Sequence, residues 1–460
     1  MGFIVGVDIG GTFTDVAAIS TETGETFTTK ARTTPWDLIE GLVEGLQLVA
    51  GQAGMTAEEL LADTDKFAHG TTQTSNVIFT WVGAKTGLIT TRGFADEILI
   101  MRARGRVAGL GLADRRHLRA TDKPPQIVPR HRIAEVSERI DHRGQVLVPL
   151  TRAEAERAVQ SLLDQGVESI AVSLLWAHEN PDHELMIREV VRELAPGMHV
   201  SLGHTLARVS GEYERASTAV VNAFVAPTVE RYMERLVTRL DELKLRAPLL
   251  VLQASGGVTG AEQSVPVKTI ESGPAAGMVA VKALMDRVGH RNVIATDVGG
   301  TTFKVGLLVN GEWSVTQETI INQYSLLIPM IDLVSIGAGG GSLAWVDDTR
   351  LRIGPQSAGG DPGPACYGWG GTEPTVTDAD VVLGFLNPDR FLGGRLELRK
   401  DLAEKAIKEH IADRLFDGDV VRAAAGIRQI VDSQMGDLVR KTSVERGHDP
   451  RDFVLIAYGG

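Results

Sequence analysis

The sequence predicts an α/β protein of two similar domains, on three observations. Strand-like and helix-like segments alternate along most of the chain. The segment Asp8-Ile9-Gly10-Gly11-Thr12 recurs step for step as Asp297-Val298-Gly299-Gly300-Thr301. A chain of 460 residues is also long enough for two or three well-buried cores. The two copies lie too far apart for a solenoid repeat, so each belongs to its own domain. The expected division gives domains 1–190 and 191–460.

The elements follow in order. Ile4, Val5, Val7 and Ile9, then Val16, Ala17 and Ile19, mark two strands, with Gly10-Gly11-Thr12 at the turn. Leu38, Leu42, Leu46 and Val49 fall at helical spacing between Asp37 and Ala50, and Thr86 to Thr91 reads as a strand. Arg102 to His131 is basic, carries Pro124, Pro125 and Pro129, and reads as a long surface excursion. Thr151-Arg152-Ala153-Glu154 is a capping box for a helix closing at Gly166, and a buried strand follows from Ser169 to Trp176. Asn180-Pro181-Asp182 opens the next helix, with Pro181 at its first position. A long helix is expected from about Val220 to Leu243, then a strand from Leu249 to Gln253. After the second acid–glycine segment, Asn310-Gly311 supplies a hairpin turn.

Composition narrows the function. The net charge of −12 argues against a nucleic-acid or anionic-membrane partner, which would need a basic face. One cysteine, Cys366, excludes a disulfide framework and suits a reducing, cytoplasmic setting. The start of the chain lacks a basic n-region, and the longest apolar stretch, near Ile170 to Ala177, is too short to span a bilayer.

The repeated segment carries the chemistry. Glycine at the turn lets backbone approach a ligand closely, and a carboxylate entering a turn rich in threonine suits a cation with phosphate oxygens. Two such turns facing one cleft can hold a polyphosphate from both sides through backbone N–H groups. The sequence contains no G-x-x-x-x-G-K-[ST] and no G-x-S-x-G, and His183-Glu184 lacks a second histidine at zincin spacing.

These residues resemble the phosphate loops of the acetate/sugar kinase, actin and heat-shock chaperone superfamily. More specifically, the chain resembles the hydantoinase A/5-oxoprolinase family from end to end. The matching motifs are GVDIGGTFTDV, HGTTQTSNVI from His69, GLITTRGF, NPDHE, YERASTAVVNAF, SGPAAG from Ser272, IGAGGGS, SAGGDPGPACYGWGGTEPTVTDAD and ERGHDPRDFVLIAYGG. The resemblance implies two ribonuclease-H-like domains facing a nucleotide cleft. It also implies an ATP- and Mg²⁺-using subunit that phosphorylates the carbonyl oxygen of a cyclic amide or imide (hydantoin, oxoproline or lactam type) and hydrolyses it. A hydantoinase B-type subunit or domain is the implied partner. An acetone- or acetophenone-type carboxylase subunit acting on a ketone is the alternative enzyme. A non-catalytic nucleotide-binding module is the alternative of another class.

On this reading Asp8 and Asp297 hold Mg²⁺, while Thr12, Thr14, Thr301 and Thr302, with Gly10, Gly11, Gly299 and Gly300, approach the phosphates. Gly339, Gly340 and Gly341 resemble a nucleotide- or substrate-facing loop, or form a plain tight turn. Asp15 orients water or a substrate hydroxyl, or simply caps the return strand. His69, in a polar loop beyond a strand, is either an acid–base group or a histidine bonded to backbone. His178 and His183 fit a helix start more simply than a metal site, and Cys366 fits a small core residue. Aligning the two segments puts Lys304 opposite Asp15, where the family commonly carries a second acid. Lys304 is expected to point toward the phosphates as a point charge. Finally, the apolar run Phe453 to Tyr458 reads as a buried strand and Gly459-Gly460 as a ligand-approaching turn, and the resemblance implies that a longer polypeptide, or else a separate subunit, completes the adenosine side.

Overall fold

A computed structural model describes residues 2–34, 36–111, 115–117, 119 and 121–459, so the expected turn residue Gly460 lies outside the described residues. Strands β1 (Phe3–Ile9) and β2 (Phe13–Ser20) form an antiparallel hairpin, and β3 (Thr26–Arg32) adds to β2. Helix α1 (Leu38–Gln52) starts where the Asp37 carboxylate accepts from the Ile39 amide, and its Leu42 and Leu46 pack inward. Strand β4 (Thr64–Thr71) returns parallel to β1.

A smaller parallel sheet follows, built from β5 (Thr86–Thr91), β6 (Ile133–Val136), β7 (Ser169–Ser173) and β8 (His199–Leu202) in the order β8-β7-β5-β6. Its helices are α2 (Arg152–Leu163) and α3 (Asp182–Leu194). Only half of the expected capping box forms at α2. Thr151 accepts from the Glu154 amide, but the Glu154 carboxylate turns away to the Ser137 amide at 2.7 Å. Pro181 sits at the cap of α3 rather than at its first position, while Asn180 accepts from the Asp182 amide.

Helix α4 (Glu212–Glu242) begins eight residues before its expected start. Residues 213–226 are all buried, so no polar face marks that half of the helix. It packs on the smaller sheet, where Asn222 donates to Ser201 Oγ, and its Tyr232 reaches His69 in the first sheet, which β9 (Leu249–Leu252) and β10 (Val258–Gly260) complete in the order β10-β9-β4-β1-β2-β3. Sheet and core therefore draw on both sides of residue 190: Val5, Leu42 and Phe67 share one cluster with Val220, Leu236 and Val251.

Helix α5 (Ser272–Val288) leads into the second lobe. There β11 (Val293–Val298) and β12 (Phe303–Val309) form the second antiparallel hairpin, and Asn310 and Gly311, at φ 56° and 84°, turn the chain into β13 (Glu312–Trp313). Strand β14 (Leu333–Ile336) also pairs with β12. One face of this sheet packs on α5, and the other on a core that includes helix α6 (Val420–Val444). Strand β15 (Val454–Gly459) runs parallel to β11 as β4 runs parallel to β1. It was expected to be buried, but it forms the sheet edge, with Val454 38% and Leu455 59% exposed. The architecture is thus α/β, with two ribonuclease-H-like lobes facing a cleft. No helix among the described residues is long and apolar enough to cross a membrane.

Candidate active site

Both acid–glycine segments close in the same way. The Gly10 amide donates to the Phe13 carbonyl at 3.0 Å, and the Gly299 amide donates to the Thr302 carbonyl at 3.0 Å. The tips meet, so that a Cβ on Gly300 would lie 2.8 Å from Thr12 Oγ1. Among the described residues, the amides of Gly11, Thr12, Gly300 and Thr301 donate to no protein group. Unspent amides converging from two turns make an anion-binding concavity.

Strand parity sets which side chains face the cleft. Asp8 pairs in register with Asp15, and Asp297 with Lys304, so these four lie on the open faces of their sheets. The first turn of α5 rests on Asp8: a Cβ on Gly273 would lie 3.0 Å from its Oδ1 and 3.1 Å from its Oδ2. Buried there, Asp8 Oδ1 has no hydrogen-bond partner. Burial, then the charges of Asp15 and Asp297, raise the Asp8 carboxyl to about 6. Asp297 is raised by burial too, against the pull of Lys304. An orphaned carboxylate oxygen beside a second strained carboxylate is the donor set a hard cation fits.

Several expected site residues lie elsewhere or act indirectly. Thr14 alternates onto the core face with Val16, is fully buried, and meets Thr33 Oγ1 at 3.1 Å, while Thr33 donates to the Gly10 carbonyl at 2.9 Å. It props the first hairpin from beneath. His69 is not in a loop but inside β4, in register with Val7, so it points away from Asp8. It is fully buried, its Nε2 meets the Tyr232 hydroxyl at 2.9 Å, and burial lowers its pKa to about 4. The Gly339–Gly341 loop braces the second hairpin: the Gly340 and Gly341 amides donate to the Gly299 and Gly300 carbonyls at 3.1 and 2.7 Å. A Cβ on Gly339 would lie 2.6 Å from the Gly299 carbonyl oxygen, so only glycine fits beneath that turn. Lys304 Nζ donates to Thr302 Oγ1 at 2.9 Å and lies 3.4 Å from Glu271 Oε2. Asp15, at a half-exposed position, is ion-paired with Lys30 Nζ at 2.6 Å rather than unpartnered in the cleft. His183 meets Glu138 at 2.8 Å and accepts from the Leu150 amide, and Cys366 is a buried core thiol pushed up by burial.

Comparison with known proteins bears on this geometry. The hydantoinase/oxoprolinase family matches residues 215–460, and the hydantoinase/oxoprolinase N-terminal region matches residues 4–195. This chain belongs to the hydantoinase/oxoprolinase family. It is 39% identical to the acetophenone carboxylase gamma subunit of Aromatoleum aromaticum, over 99% of this chain and 63% of that one. It is 38% identical to caprolactamase subunit alpha of Pseudomonas jessenii, over 99% of this chain and 65% of that one. It therefore spans just under two thirds of the length of these relatives. A nucleotide-free structure of acetone carboxylase, described as ATP-dependent, superposes with a TM-score of 0.89 at 30% identity, covering 99% of this chain and 65% of that one. The ATP-dependent caprolactamase of Pseudomonas jessenii superposes with a TM-score of 0.81 at 37% identity, again covering 99% and 65%.

Sequence reasoning missed Glu271, Gly273, Lys30 and Tyr458 as residues of the hairpin surroundings. Lys30 sits in register with Asp15, and Tyr458 with Asp297. Gly273 belongs to the SGPAAG segment, whose two glycines before and after a proline-started turn were the one available signal.

Proposed function

We propose that this chain carries the ATP site of an enzyme that activates a cyclic amide or imide, of the hydantoin, oxoproline or lactam type, by phosphorylating its carbonyl oxygen. The observation that carries the reading is the meeting of two acid–glycine hairpins tip to tip, with unspent amides and an unpartnered Asp8 oxygen between them. Asp8 and Asp297 would hold Mg²⁺ largely through its water and phosphate ligands, since no cluster of three or more metal-binding side chains occurs among the described residues. The bound ion supplies charge neutralisation to the phosphates.

An amide carbonyl is a poor electrophile. Moving the γ-phosphoryl group of ATP onto its oxygen releases ADP and turns that oxygen into a leaving group. Water then adds at the carbon and the ring C–N bond breaks, the nitrogen leaving as a protonated amine, and a second water displaces phosphate from the resulting acyl phosphate to give the carboxylate. The hairpin amides and Thr12, Thr301 and Thr302 would hold the polyphosphate, Lys304 would face the developing charge, and Asp15, released from Lys30, would accept a proton from attacking water. His69 has no part in this scheme, since it faces the core.

A second reading is the ATP-using subunit of a ketone carboxylase, favoured by the 39% identity to the acetophenone carboxylase gamma subunit. Both readings place the protein in the cytoplasm and pair it with a hydantoinase B-type subunit or domain. The test is ATP hydrolysis by the protein with its partner present. Turnover that rises with lactams or hydantoins supports the hydrolase. A rise confined to ketones with bicarbonate supports the carboxylase, and turnover indifferent to every acceptor overturns both.

A further inference from the structure

Among the described residues Lys304 forms no direct ion pair with its obvious partner. It pairs in register with Asp297 on the adjacent strand, where an ammonium and a carboxylate are within each other's reach. Yet among the described residues Lys304 ion-pairs with Glu271 and donates to Thr302.

Glu271 occupies an unusual place. It precedes the first turn of α5 in left-handed backbone, at φ 55° and ψ 30°, a conformation that costs a residue with a Cβ. The first lobe holds it there: the Glu271 amide donates to Ser75 Oγ at 3.2 Å, and the neighbouring Ser272 hydroxyl donates to the Thr71 carbonyl at 3.3 Å. A carboxylate anchored to one lobe thus restrains a lysine on the hairpin of the other.

We propose that Glu271 is a positioning residue that draws Lys304 off Asp297. The carboxylates of Asp8 and Asp297 then remain open to a divalent cation, and the ammonium stays on the hairpin beside Thr302. Without the Glu271 charge, the nearest unneutralised acid for Lys304 is Asp297, and the lysine becomes an internal competitor of the metal. This rests on the Mg²⁺–phosphate reading of the cleft.

The experiment measures Mn²⁺ binding by the protein without nucleotide, by paramagnetic resonance of the free ion, alongside thermal unfolding of each variant. Glu271→Gln is expected to weaken Mn²⁺ binding by about tenfold, the scale of losing a residue that orients a metal ligand. Adding Lys304→Met to Glu271→Gln is expected to restore the affinity, because the competing ammonium is gone. Glu271→Gly, which relieves the left-handed backbone, is expected to match Glu271→Gln if the carboxylate is what matters. Unchanged Mn²⁺ affinity in Glu271→Gln overturns the proposal, as does a double variant as weak as the single one. Failure of the underlying metal reading looks different: wild type and Asp8→Asn would then bind Mn²⁺ equally.

Discussion

The two hairpins share their backbone and differ in their charges. In the first, Asp8 faces a second acid, Asp15, whose neutralising partner Lys30 stands one strand further out at 2.6 Å. In the second, Asp297 faces Lys304, whose neutralising partner Glu271 comes from the start of α5. Each trio has the same formal charge (−1 −1 +1 for Asp8, Asp15 and Lys30; −1 +1 −1 for Asp297, Lys304 and Glu271). What differs is where the positive charge sits. The Lys304 side chain is 14% exposed and belongs to its hairpin, while the Lys30 side chain is 32% exposed and reaches Asp15 from the next strand. On the proposed reading, the first hairpin faces the cation and the second faces phosphate.

The largest expected effect breaks the cation-facing half. Asp8→Asn removes the charge on the orphaned oxygen under Gly273 and should weaken Mg·ATP binding by roughly a hundredfold, or about 3 kcal/mol. Asp297→Asn should cost less, because Lys304 already offsets part of its charge. Calorimetry on both variants checks the order. Equal losses would mean the hairpins are electrically equivalent, and unchanged binding and turnover in both would remove the shared site.

Next in size is a pH effect on the ligand-free protein. The folded protein holds the Asp8 proton more tightly than the unfolded chain, since burial raises this carboxyl from 3.8 to about 6. Its contribution to stability is complete below about pH 4 and is lost as pH rises through about 6. Between pH 5 and pH 8 this one group should cost on the order of 1 kcal/mol. Unfolding midpoints should fall across that range in wild type and fall less in Asp8→Asn, and Mg²⁺ should shrink the difference. Parallel pH curves for wild type and Asp8→Asn would show that Asp8 is not strained.

How much of this was legible in the sequence depends on whether the cause is local. The hairpins were, because a turn is written in consecutive residues, and so were α1 and β5, whose periodicity lies within one segment. Thr14 was legible in principle, since it shares parity with Val16 and Ala18 on the buried face rather than with Asp15. The position of His69 inside β4 was obscured by the polar residues around it, which read as a loop. Glu271 and Gly273 were out of reach, because only the path of α5 between the lobes brings them to Lys304 and Asp8.

A smaller effect tests the phosphate-facing half. Lys304→Met removes an attraction and should weaken nucleotide binding by about threefold, whereas Lys304→Asp adds a repulsion and should weaken it by about tenfold or more. Lys304→Asp also sets a second negative charge against Glu271. Titration of ADP and ATP against each variant reads the difference. Equal affinities for wild type and both variants would place Lys304 outside the field of the phosphates.

The smallest effect is the one that would sharpen the contrast most. Lys30 and Asp15 form an ion pair whose side chains are 32% and 49% exposed, and pairs of that kind are worth roughly 0–1 kcal/mol after solvent screening. If the first hairpin faces the cation, Lys30 serves only to temper Asp15 from the outer strand, and its charge should reach the phosphates weakly. Lys30→Met should then change ATP affinity by less than about twofold at 0.15 M salt, where charges beyond roughly 8 Å are screened. The same substitution at Lys304 should exceed that at every salt concentration, because its ammonium is shielded from solvent and tied to Thr302. Matching losses and matching salt dependence in Lys30→Met and Lys304→Met would mean that both lysines sense one diffuse field. The charge reversal between the hairpins would then be an accident of sequence and not a division of labour.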